Sequence, residues 1–144
     1  MWLKYFLITL SLFFLALAQS SFFAHFIPVD KMPNLIFILF FILVFFESNN
    51  SHNLGFFTAI VAGFFLDILL PYYFGVAIIP LVIIYILEKK ARHFFQKNLD
   101  GFSFLYFISA FLISLFFYNI LLYILSLIFN LQINFVFGWN IIFN

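Results

Sequence analysis

Cysteine is absent from this 144-residue chain, and that one absence removes disulfides, thiolate metal sites and cysteine nucleophiles together. Charge is nearly as scarce. Six basic and five acidic side chains leave a formal net charge of +1, too little to attract nucleic acid or an acidic substrate by bulk electrostatics. Polar stretches long enough for a soluble domain are missing, and so is the alternation of apolar and polar residues that marks a barrel strand. What fills the chain is apolar: 67% of it is hydrophobic and 26% aromatic, far outside the range of soluble domains.

Such a composition belongs to an integral membrane protein. Spans of about 20 residues each leave room for five or six crossings, and backbone groups in lipid must be satisfied within their own segment, which means helices. The expected fold is all-α, a polytopic membrane bundle of five spans plus part of a sixth, forming one transmembrane domain over residues 1–144. The 28 phenylalanines are read as lipid-facing filler rather than as aromatic cages.

The first span is expected at 3–27, opening with Lys4 and turning polar at Gln19, Ser20, Ser21 and His25. Ala16-Leu17-Ala18 has the form of a signal-peptidase site, but the apolar run resumes with Phe22 and Phe23, which suits an uncleaved span. A turn with Asp30 and Lys31 leads to a second span at 33–46, with Pro33 in a first helical turn where its missing N–H is harmless. A polar loop from Glu47 follows. The third span is 54–70, with Pro71, Tyr72 and Tyr73 turning the chain at headgroup level. The fourth, 74–87, holds Pro80 and is expected to bend there. Residues 88–101 form the one basic loop, with Lys89, Lys90, Arg92 and Lys97. By the positive-inside rule it is cytoplasmic, as is the N-terminus. The fifth span is 102–129; residues 130–144 are an interfacial tail or the start of a sixth helix.

The segment from Gly55 to Gly75 carries the sharpest pattern. On a helix, Gly55, Ala59, Gly63 and Asp67 form one stripe, and small side chains let another helix approach closely in hydrocarbon. Gly75 opens the next span. Asp67 is the one ionisable residue read as lying inside a span, and such residues are functional candidates by default. Its depth, about 20 Å along the helix from Leu54, places it near the outer interface. There it is expected to lock helices together through His25, Lys31, Asn119 or a tyrosine hydroxyl.

Catalysis is tested by counting. An aspartyl dyad needs two acids that share a proton, and a phosphoryl-transfer site needs carboxylates around a metal. Neither set exists. His25, His52 and His93 are dispersed, and Ser109 and Ser114 have no base nearby in sequence. No enzyme, cofactor or metal is expected.

The run MPNLIFILFF, followed by GFFTAIVAGFFLDILLPYYFGVAIIPLVIIYIL, resembles the MreD family of the bacterial rod-shape complex. The matching positions are Pro33, Asn34, Leu35, Gly55, Gly63, Asp67 and Gly75. The resemblance implies a non-enzymatic scaffold in the bacterial inner membrane. It would bind an MreC-like bitopic protein and couple actin-like filaments to the wall-synthesis enzymes of the elongation complex, with Lys89, Lys90, Arg92 and Lys97 open to a cytoplasmic partner. Size and layout are also similar to the substrate-binding subunits of energy-coupling-factor vitamin transporters. In that rival reading Gln19, Ser20, His25, Asp67, Tyr118 and Asn119 line a pocket.

Overall fold

Apolar runs without internal breakers fold as helices, and the polar residues between them set the ends. The computed structural model describes residues 2–23, 25, 34–47, 54–69, 75–96 and 104–129. Among these there are five α-helices and no strand: α1 (Trp2–Leu17), α2 (Leu35–Phe45), α3 (Leu54–Leu69), α4 (Ile78–Gln96) and α5 (Phe104–Phe129). A π-helical stretch, Ala18–Phe23, continues α1. It begins where the Ser20 and Ser21 hydroxyls both donate to the Leu17 carbonyl, and such local bonds compete with the regular helical ladder. Residues 26–33, with Asp30, Lys31 and Pro33, residues 48–53, with His52, residues 70–74, with Pro71, Tyr72 and Tyr73, residues 97–103, with Lys97, and residues 130–144 lie outside the described residues.

α2 is the centre. It is only 11 residues long, apolar on every side, and buries Ile36, Phe37, Phe40, Phe41, Val44 and Phe45. Its start is fixed by Asn34, whose side-chain oxygen accepts from the Phe37 N–H at 3.0 Å, the standard role of an Asn N-cap. Helix therefore begins after Asn34; Pro33, read as a first-turn residue, lies outside the described residues.

Neighbouring helices run in alternating directions. Tyr5 meets Phe57 and Phe13 meets Phe65, so α1 and α3 are parallel. Phe37, Phe41 and Phe45, four residues apart on one face of α2, meet Tyr118, Phe111 and Phe107 of α5 at ring separations of 4.9, 5.1 and 4.8 Å; the numbering falls along α5 as it rises along α2, so that pair is antiparallel. Phenylalanine as lipid-facing filler is thus corrected for this column: Phe37 and Phe41 are at most 1% exposed. Phe6, Phe14 and Phe116 do point outward.

Two more expectations change. Residues 88–96, read as loop, continue α4 without a break, with Lys89 and Lys90 exposed while Glu88 on another face stays buried. Pro80, expected mid-span, is the third residue of α4, inside the first turn where a backbone N–H needs no helical partner. The surface of the bundle is apolar, with Trp2, Leu3, Phe14, Ile113, Leu127 and Ile128 each more than half exposed. Two helical stretches, Trp2–Ser21 and Tyr106–Phe129, are long and apolar enough to cross a membrane.

Candidate functional site

The predicted stripe of α3 is buried along its length: Gly55, Ala59, Gly63 and Asp67 are all inside. It faces α4, and the backbones of these two helices make the most extensive approach in the bundle. At Gly63 a β-carbon would sit 2.5 Å from Ile78 Cα and 3.0 Å from Ile78 N. That is main chain against main chain, so nothing can move aside. At Gly55 an added β-carbon would instead meet the Glu47 carboxylate and the Tyr85 ring.

Asp67, 4% exposed, ends the stripe by capping the next helix. Its Oδ2 accepts from the Gly75 N–H at 2.8 Å and its Oδ1 from the Ala77 N–H at 2.7 Å. An anion at the unsatisfied N–H groups of a helix start is favourable both as hydrogen bonding and through the helix dipole. Gly75 has φ +99°, a left-handed conformation in which a side chain is strained, and this aims its N–H back at the acid. The space around it is open, so backbone shape rather than room requires the glycine. Among the described residues its donors are main-chain N–H groups. Asn119 donates to the Leu115 carbonyl of its own helix, His25 is exposed, and Lys31 lies outside the described residues; the structure does not bring Asp67, His25 and Asn119 together.

The opposite end of α3 repeats the device. Glu47 Oε1 accepts from the Gly55 N–H at 2.7 Å. In both caps the acid and the glycine are eight residues apart. Arg92, near the end of α4, donates to the Val44 and Glu47 carbonyls at the end of α2 and lies 5.8 Å from the Phe45 ring centroid. A cation on terminal carbonyls is the complement of an acid on terminal N–H groups. Lys89 donates to the Tyr85 hydroxyl at 3.2 Å; Lys89 and Lys90 are exposed.

Two residues that the sequence reading did not single out, Glu47 and Glu88, organise this end together with Arg92, which it read as open to a cytoplasmic partner and which instead binds the carbonyls of α2. Glu88 is 6% exposed and accepts from Ser114 Oγ at 3.0 Å across the α4–α5 interface. It also corrects the reading of Asp67 as the one acid inside the helices. A signal existed: Leu81, Ile84, Tyr85 and Glu88 follow helical spacing, so the apolar face of α4 runs into the charged segment. Among the described residues no three histidine or acidic side chains gather into a metal-binding group.

The family model of rod shape-determining protein MreD matches residues 2–144. No curated protein and no solved structure matches.

Proposed function

Because the chain belongs to the MreD family of rod shape-determining proteins, we propose that it is a non-enzymatic scaffold of the bacterial elongation complex, held in the inner membrane as one domain of five crossings. It connects cytoplasmic actin-like filaments to periplasmic peptidoglycan synthesis through an MreC-like bitopic partner and wall-synthesis enzymes. The match over essentially the whole chain carries this reading.

Four physical features support it. The helices alternate in direction, as successive crossings require. Polar groups lie inside, at Asn34, Thr58, Asp67, Glu88, Ser114 and Ser126, while large apolar side chains cover the outside, the arrangement that suits hydrocarbon as solvent. The described cations, Lys4, Lys89, Lys90 and Arg92, gather at the end shared by the start of α1 and the close of α4, which supports a cytoplasmic placement of that end under the positive-inside rule. Asp67 and Glu47 hold helix starts in place, a use of acids that serves rigidity. The direct test is depletion of the chain in its rod-shaped host. Cells are expected to round up and to recover rods when the chain is resupplied. Depleted cells that keep their rod shape would remove the proposal.

A further inference from the structure

A half-open cleft of about 340 Å³ separates α4 from α5 near the basic end. Its wall is apolar apart from Glu88, Tyr106, Ser109 and Ser114. We infer that a membrane helix of a partner protein packs over this cleft, and that a basic side chain on that helix enters it and bonds the Glu88 carboxylate. The inference rests on the scaffold reading and names the site by which the scaffold holds one partner.

Charge complementarity is the first argument. Glu88 is 6% exposed and takes one hydrogen bond, from Ser114, whereas a carboxylate has about four acceptor positions. Arg92, one turn away, lends Glu88 its charge but directs its hydrogen bonds to the carbonyls of α2, so what Glu88 still lacks is a hydrogen-bond donor. Acyl chains offer no donor, and an acid facing them is costly; a lysine or arginine on a neighbouring helix supplies what is missing. The second argument is shape. Ser109, Ala110 and Ser114 give α5 small residues at the cleft, with Ile113 and Phe117 the bulky ones in its wall and the exposed Leu112 and Phe116 outside it. Small residues are what permit close helix approach in lipid. The cleft opens onto the apolar flank of the bundle, where Ile113 is 57% exposed, so its occupant comes from within the membrane.

The test uses benzoylphenylalanine in place of Ile113 in the full chain, photo-crosslinked in living cells, with the same probe at the outward Phe14 as control. The expected adduct, specific to position 113, is a protein whose membrane helix carries a lysine or arginine. Glu88→Lys lowers its yield about tenfold, the scale of losing one interhelical bond, and reversing the partner's cation to glutamate restores it. Since Glu88→Lys can disturb folding, Ala110→Leu, which fills the cleft from a half-buried position, is the second variant and is expected to lower the yield similarly. Adducts only with phospholipid or with another copy of this chain overturn the inference, as does a yield that Ala110→Leu leaves unchanged. Rounding on depletion combined with an empty crosslink at position 113 sinks the cleft and spares the scaffold; rods that survive depletion sink the scaffold itself.

Discussion

Asp67 and Glu47 serve α3 and α4 in the same manner, each reaching over a turn to the N–H of a glycine eight residues on. Asp67 holds two such donors with its two oxygens, so Asp67→Asn keeps one acceptor and aims an NH2 group at the other N–H. That substitution is expected to destabilise the protein by on the order of 2–3 kcal/mol, the scale of one charge-assisted bond lost and one buried donor stranded. Denaturant titration of helicity in detergent measures it; a midpoint equal to wild type contradicts the cap. Gly75→Ala is expected to cost roughly 1 kcal/mol, through backbone strain alone, because the space around Gly75 is open. At this scale the sequence was legible where chemistry is local. Asp67 stood out as a lone acid beside small residues, and its burial follows from that stripe. Its partners did not stand out, because a main-chain N–H leaves no mark in composition. Glu88 was hidden by Lys89 and Lys90, whose charges made a packed helical turn read as solvent-facing loop.

Two kinds of seam hold the elements together. α3 and α4 meet backbone to backbone over small residues, whereas α2 and α5 stand off at the width of tilted and edge-on rings, Phe37, Phe41 and Phe45 against Tyr118, Phe111 and Phe107. The seams should respond to opposite changes. Gly63→Ala drives a β-carbon onto the Ile78 backbone and is expected to cost more than Gly55→Ala, where the obstacles are side chains that can turn away. Thermal unfolding in detergent gives the order, and equal costs would mean that α3 and α4 are not in contact as described. Phe41→Ala opens a void in the other seam and is expected to cost about 3–5 kcal/mol, while Phe116→Ala, on the outward face, changes little. The sequence exposed the first seam because glycine is rare here and its spacing conspicuous. The second was obscured by abundance: with 28 phenylalanines in the chain, the 37-41-45 column looked like the rest. The shift of the fourth helix start from 74 to 78 has a related cause, since the Asp67 cap holds Gly75 and Ala77 in a turn that local apolar character cannot reveal.

At the scale of the molecule, alternating helix directions and one-sided cations make a claim about the membrane that neither makes alone. If α1 to α5 each cross, the ends bearing Lys4 and Lys90 share one side with the start of α3, and His25 lies on the other. Lack of cysteine makes this easy to examine, because a single introduced thiol is the only one present. Lys90→Cys and His25→Cys occupy exposed positions, so a thiol at either should tolerate substitution and remain reactive. In intact spheroplasts a membrane-impermeant maleimide is expected to label the thiol at position 25 and to reach position 90 only after permeabilisation. The reverse pattern would leave the bundle intact but invert it, setting the cation count against the positive-inside rule. Labelling of both positions from outside would break the alternation, because an even number of crossings would then separate them. The short α2 makes the second outcome worth seeking. Its 11 residues span about 17 Å, against a hydrocarbon thickness of about 30 Å, so it crosses only if α1, α3, α4 and α5 enclose it and the flanking turns enter the membrane with it. The burial of six of those residues is the structural reason to expect that enclosure, and opposite labelling of positions 25 and 90 is its consequence.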